Sequence, residues 1–181
     1  MKAIGAAVLL GFWSVGLGMA WADDSPLDAS VTVETSNTNN NVTSATEGTG
    51  VELVTTCSYT VSLHNKGMDP LPKIGLKLYL VGGNENDTLR QEAPAKFQAG
   101  IVKVLEKKDI SLDPGADATA EMGGCEYKSQ VTHLYNMTYF GGVFAAGYVL
   151  EIYVNDEKVD VKYSGGGNVQ QTYETYLKKN S

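Results

Sequence analysis

Apolar side chains recur at every second position in several segments of the chain, the spacing that puts them on one face of a β-strand. Leu27, Ala29, Val31 and Val33 form the first set. Cys57, Tyr59, Val61 and Leu63 form the second, with Ser58, Thr60, Ser62 and His64 pointing away. Leu76, Leu78 and Leu80 follow, then Val102 and Val104, then Ile110 and Leu112. Tyr148, Leu150, Ile152 and Val154 face Val159, Val161 and Tyr163 across Asn155-Asp156-Glu157-Lys158, which predicts a β-hairpin with a short polar turn. Gly, Pro and Asn punctuate the strands at Asn65-Lys66-Gly67, Asp69-Pro70, Gly82-Gly83-Asn84 and Asp113-Pro114-Gly115. Short strands with turn-rich joints and no alternating helices predict an all-β antiparallel sandwich or barrel.

Three stretches break this pattern. Between Thr35 and Gly50, 13 of 16 residues are Ser, Thr, Asn or Gly, too few apolar side chains to offset the entropy of ordering, so a mobile loop or linker is expected there. Val131 to Phe140 is compatible with a helical turn or a strand. Near the end, Asn168 is placed to cap a short helix whose Val169, Tyr173, Tyr176 and Leu177 share one face, with Lys178 and Lys179 at its carboxyl end.

The first 22 residues combine Lys2, the apolar run Ile4 to Leu17 and Ala20-Trp21-Ala22, followed by Asp23-Asp24. Small residues two apart after a short apolar run fit a cleaved export signal, and an uncleaved anchor helix is the alternative. The reading is a signal peptide over 1–22, a first strand and Ser/Thr/Asn-rich loop or linker over 23–50, and one β domain with a terminal helix over 51–181. Tyr139 to Val154 is apolar but interrupted by Gly141, Gly142, Gly147 and Glu151, a better buried strand than membrane helix, so no stable membrane insertion is expected after signal cleavage. Export places the protein in the periplasm, at the cell surface or outside the cell. Cys57 and Cys125 then either join in a disulfide or remain two separate buried thiols. A disulfide is expected, and closing that loop is worth roughly 4 kcal/mol in the chain-entropy model. At a net charge of −7 the chain lacks the basic footprint of a nucleic-acid binder.

Tyr59-Thr60-Val61-Ser62-Leu63-His64-Asn65-Lys66-Gly67, Leu76-Lys77-Leu78-Tyr79-Leu80 and Leu112-Asp113-Pro114-Gly115 resemble bacterial immunoglobulin-like domains of the cell-adhesion-related type. The resemblance spans roughly residues 53 to 163, and the layout is also similar to that of secreted pilus-associated immunoglobulin-like proteins. It implies an immunoglobulin-like antiparallel β-sandwich, here followed by a short C-terminal helix, and a role at a bacterial surface.

Catalytic signatures are absent: the chain has no Gly-x-Ser-x-Gly elbow, no His-Glu-x-x-His helix and no complete phosphate loop. His64 and His133 read as ordinary strand histidines, and Asn84-Glu85-Asn86-Asp87 as a polar turn rather than a calcium loop. Cys125 beside Glu126 is the sharpest candidate nucleophile, set against its reading as half of a disulfide. No cofactor and no metal are expected. Tyr127, Tyr135, Tyr139 and Tyr153 are candidate binding residues, since exposed tyrosines anchor protein or sugar ligands, with core packing as their alternative. The expectation is a non-enzymatic interaction or structural protein of the envelope or surface, binding a protein or glycan through strand edges or loops. The alternative is a pilus or other assembly subunit that exchanges its first strand, and homo-oligomers are compatible with both.

Overall fold

A computed structural model describes residues 25–44, 48–85, 87–88, 97–134 and 137–180. The expected signal peptide, 1–22, lies outside them. The described chain is mostly antiparallel β-sheet with one C-terminal helix: β1 (Leu27–Ser44), β2 (Gly48–Asn65), β3 (Leu71–Glu85), β4 (Asp87–Thr88), β5 (Phe97–Leu112), β6 (Asp117–Leu134), β7 (Met137–Val154), β8 (Glu157–Ser164) and α1 (Gly167–Asn180). Strand order is β1-β2-β6-β7-β3-β5, with β4 and β8 also paired to β7. No helix among the described residues is long and apolar enough to cross a membrane.

Strand β7 organises the fold because it changes partners. Its first part, through Gly142, pairs with β6, and from Val143 onward it pairs with β3. That switch occurs where the backbone departs from ordinary β geometry: Gly142 has φ of 91°. A Cβ at Gly142 would lie 2.3 Å from the Lys128 carbonyl oxygen, so only glycine lets the strands approach this closely. Gly142→Ala is expected to lower unfolding free energy by about 1–3 kcal/mol through backbone strain. Urea denaturation checks this, and an unchanged midpoint would mean that β7 can switch partners without a glycine.

Alternation in β2 does what its sequence predicts: Cys57, Tyr59, Val61 and Leu63 are all buried. They join Leu27, Leu76, Leu78, Leu80, Leu112, Leu150 and Ile152 in the main core, which gathers side chains from β1, β2, β3, β5, β6 and β7. Each such aliphatic residue contributes roughly 1.5–3 kcal/mol on full burial.

A second core lies on the opposite face of β3 and β7, where Tyr79, Val81 and Val149 pack on Val169 and Tyr173 of α1. The helix therefore uses the face its spacing predicts, with Tyr176 and Leu177 partly buried beside it. Because β7 is covered on both faces, the hairpin differs in detail from its expected form. Val161 pairs with Glu151 and Tyr163 with Val149, on the helix side, not with the Leu150 side. The turn is two residues, Asn155 and Asp156, with φ of 53° and 67°, the left-handed pair that a tight β-hairpin requires. Val102 is likewise not a core residue. It is 43% exposed beside a register shift between β3 and β5, while Val104 packs toward α1.

The expected loop from Thr35 to Gly50 is instead strand over all its described residues, since β1 runs unbroken to Ser44 and β2 begins at Gly48. Each residue from Leu27 to Ser44 faces a partner on β2 with no register shift. The Thr55 hydroxyl donates to Asn37 Oδ1 at 2.8 Å and Asn40 Nδ2 donates to Glu52 at 3.3 Å. Polar residues thus extend a sheet nucleated by the apolar residues further along, with ladder hydrogen bonds and cross-strand pairs replacing core burial. The stretch from Val131 to Phe140, ambiguous in sequence, is strand on both sides of residues 135–136.

Candidate functional site

Residues on the helix-covered side of β3 continue past the end of the helix, and there the sheet surface opens. A groove of about 250 Å³ is lined by Lys73, Gly75 and Lys77 of β3, Glu106, Lys108 and Asp109 of β5, and Tyr153 and Asp156 at the β7–β8 turn. Gly75 pairs with Tyr153, so no side chain from β3 fills the floor beside the tyrosine. Two local irregularities shape the lips. The ladder between β3 and β5 shifts register between Ile74 and Leu76, and opposite that shift Asp109 adopts a φ of 60°. Asp156 is the second left-handed residue of the hairpin turn. Bulges and left-handed residues redirect side chains that a regular strand would alternate, and here both aim carboxylates at one groove.

The groove's charges balance, three ammonium groups against three carboxylates. Lys73 Nζ is 2.5 Å from Asp156 Oδ2, and Lys77 Nζ is 3.2 Å from Glu106 Oε1, with Lys108 3.8 Å from the other oxygen of Glu106. The Asp156 carboxylate raises the Lys73 ammonium above its usual range. Such an array offers many hydrogen-bond donors and acceptors and little net field.

Beside the groove, opposite Lys77 in the β3–β7 register, lies a buried carboxylate. Glu151, 2% exposed, receives hydrogen bonds from the hydroxyls of Tyr79 and Tyr153 at 2.9 and 2.8 Å, from Lys158 Nζ at 3.0 Å and from the Tyr173 hydroxyl. Burial pushes its carboxyl up, but the bonds from Tyr173, Tyr153, Lys158 and Tyr79 outweigh it and hold the group below its ordinary value. Burial, aided by the bond to Glu151, pushes the Tyr153 phenol up to about 12. The rings pack edge to face, Tyr79 on Tyr173 at 5.1 Å and Tyr163 on Tyr173 at 5.9 Å. With both carboxylate oxygens engaged, Glu151 fixes α1 to the sheet and holds Tyr153 at the groove wall.

The sequence-predicted residues fall in different places. Tyr153 lines the groove. Tyr127 is 2% exposed, its hydroxyl 3.3 Å from that of Tyr59, so it is a core residue and not a surface anchor. Tyr139 pairs by its backbone with Thr88 and Thr132, and Tyr135 lies outside the described residues. Tyr127 and Tyr153 therefore do not share a surface. Cys57 and Cys125 are both free thiols, so the expected disulfide is not present. They stand opposite one another in the β2–β6 register, but Cys57 Sγ lies against Thr35 Oγ1 at 3.9 Å and Cys125 Sγ donates to its neighbour Glu126's carbonyl at 3.7 Å. Burial raises the Cys125 thiol, the opposite of what an activated nucleophile needs. His64 Nδ1 sits 2.8 Å from Asp117 Oδ1 on the surface, and His133 is a β6 residue opposite Thr138. No cluster of three metal-ligating side chains occurs among the described residues.

Sequence reasoning missed Glu151 and the groove. Glu151 stood out only as an interruption of an apolar run. A carboxylate flanked by Leu150 and Ile152 in a strand is nevertheless the signal of a buried acid that needs donors, and the chain's many tyrosines supply them.

No protein-family model matches the chain, and no curated protein matches it. Among solved structures, a protein from Akkermansia muciniphila is similar over 81% of this chain and 75% of its own, at 8% identity and a TM-score of 0.26. Another, solved by the Northeast Structural Genomics Consortium, covers 77% of this chain and 87% of its own, at 12% identity and a TM-score of 0.23. Likenesses this slight carry no argument about function.

Proposed function

We propose that this chain is a non-enzymatic binding module of an exported envelope or surface protein, with an immunoglobulin-like β-sandwich, and that its groove takes a neutral glycan. The observation that carries the reading is the charge-balanced groove beside Tyr153. Paired ammonium and carboxylate groups satisfy sugar hydroxyls as donors and acceptors, while an aromatic wall provides apolar contact for the ring faces. A strongly charged ligand would meet an opposing charge beside each attractive one. A single core fed by β1, β2 and β6 on one side of the strand order and by β3, β5 and β7 on the other supports the sandwich arrangement.

Lys108 is the groove residue best suited to a test, since its side chain is 72% exposed and takes no part in the Glu151 cluster. On a glycan array, the protein is expected to retain a subset of neutral oligosaccharides, and Lys108→Ala to weaken that retention about tenfold, the effect of one lost charge-assisted hydrogen bond. Retention of no glycan, or equal retention by the variant, removes the groove from consideration. Strand exchange between subunits remains the second reading, favoured by the place of β1 at an edge of the sheet.

A further inference from the structure

The sheet edges differ sharply in how they are protected against another strand. Edge strands are ordinarily blunted by charge, by bulges or by shortness, because their unpaired N–H and C=O groups are a template for pairing. Strand β5 carries Lys103, Glu106, Lys107, Lys108 and Asp109, and its pairing with β3 shifts register at three points. Strand β8 is only 8 residues long, carries Glu157, Lys158, Asp160 and Lys162, and has a register shift of its own. Strand β4 has two residues. Strand β1 has none of these defences: it is 18 residues long, pairs with β2 without a single shift, and from Ala29 to Ser44 bears one charge, Glu34. It contains no proline and no lysine. Among the described residues, β2 is its only strand partner, and its side chains are exposed from Thr32 to Asn41.

We infer that β1 is a pairing edge, and that its occupant is β1 of a second copy of this chain, aligned antiparallel in a closed two-fold dimer. The edge is self-complementary in the way this requires. A two-fold axis through Asn37 brings Ser30 opposite Ser44 and uses the whole low-charge stretch. In that register Glu34 faces Asn40 of the second copy, Thr35 faces Asn39 and Ser36 faces Thr38, so no like charges meet although each chain carries −7. Alternate residues present N–H and C=O outward along an antiparallel edge, and facing Asn and Thr side chains add cross-strand hydrogen bonds. Each β1 stays on its own β2, so the dimer needs no exchange of strands. The inference is independent of the groove, which lies on β3, β5 and β7.

Sedimentation equilibrium on the purified full chain tests it, with Ser36→Lys/Thr38→Lys as the variant. Both positions are exposed and leave the backbone pairing with β2 intact, but in the dimer each lysine would face a lysine of the other copy. The expected result is a wild-type mass twice the 19.4 kDa of the chain, and association weakened at least about tenfold in the variant with unchanged circular dichroism. Should the lysine variant misfold, Asn37→Cys provides a second reading. On oxidation it should give a linked dimer, whereas Met68→Cys, on the distant and 96% exposed turn after β2, should not. A monomeric wild type at tens of micromolar, a lysine variant that folds and dimerises as before, or linkage through Met68→Cys as efficient as through Asn37→Cys would each overturn the inference. Open-ended oligomers would overturn it too, because an isologous edge closes at two copies.

Discussion

Replacing Glu151 with leucine should lower the unfolding free energy by about 2–5 kcal/mol, at about 1–3 kcal/mol for each of two buried hydroxyls left unpaired. The leucine would fill the space but leave the hydroxyls of Tyr79 and Tyr173, both buried, without their acceptor, while the half-exposed Lys158 ammonium that now reaches Oε1 would turn to solvent. Glu151→Gln should recover part of the loss, since it keeps the shape and one acceptor oxygen while its amide turns donors toward donors. Guanidinium denaturation measures both. The loss should extend to α1, whose Tyr173 is the link between helix and carboxylate, and amide exchange along Val169–Leu177 should accelerate more than in β2. A leucine variant as stable as the wild type would mean that the tyrosines find other acceptors and that packing alone holds the helix.

The same residue predicts an acid limb of stability. Burial opposes its ionisation, but the hydrogen bonds from Tyr173, Tyr153, Lys158 and Tyr79 prevail and the folded carboxyl titrates below its ordinary value. A depressed folded value means that the unfolded chain binds the proton more tightly. The stabilisation is therefore complete above the ordinary glutamate range and is lost as pH falls through the folded value. The stability gap between wild type and Glu151→Gln should narrow as the solution is acidified below about pH 4. A gap constant down to pH 2 would assign the acid limb to the other carboxylates.

What the sequence made legible, and what it hid, follows from how far each interaction reaches along the chain. Alternation in Cys57 to Leu63 and in Leu76 to Leu80 reports a local period, and those residues are buried as expected. The spacing of Val169, Tyr173, Tyr176 and Leu177 likewise reports a helix face. Thr35 to Ser44 was illegible as strand because its order comes from β2, and composition records only the missing apolar burial. Tyr127 shows the same limit from the other side: nothing near it in sequence announces that Tyr59 waits across the ladder. The groove was hidden more deeply, since its shape depends on a left-handed Asp109 and on a register shift, neither of which has a periodic signature. The Asn-x-Gly element at Asn65 falls between these cases. It was legible as a turn, but its reach to a second turn nearly fifty residues away was not.

That reach makes Asn65 the other position of large expected effect. It is fully buried, and its Nδ2 donates to the carbonyl oxygens of Asp69 at 2.9 Å, Asp113 at 3.2 Å and Leu112 at 3.3 Å, while Oδ1 accepts from the Gly67 amide at 2.9 Å. Its own backbone bonds to Ala116 and Gly115, so one side chain ties the turn after β2 to the turn between β5 and β6. Asn65→Asp is nearly isosteric, yet it replaces an amide donor by a carboxylate oxygen aimed at three carbonyls. The unpaired buried charge should cost about 3–5 kcal/mol at neutral pH. Asn65→Ala, which leaves carbonyls and one amide unsatisfied but adds no charge, should cost less, about 1–3 kcal/mol. The sign of the pH response separates the two. A buried aspartate held by like partial charges has its carboxyl raised by desolvation, so Asn65→Asp should regain stability on acidification as the acid becomes neutral and donates one hydrogen bond, whereas Asn65→Ala should track the wild type. Urea titrations from pH 7 to pH 4 read both, and an aspartate variant that parallels alanine throughout would show that the turn opens and lets water solvate the charge.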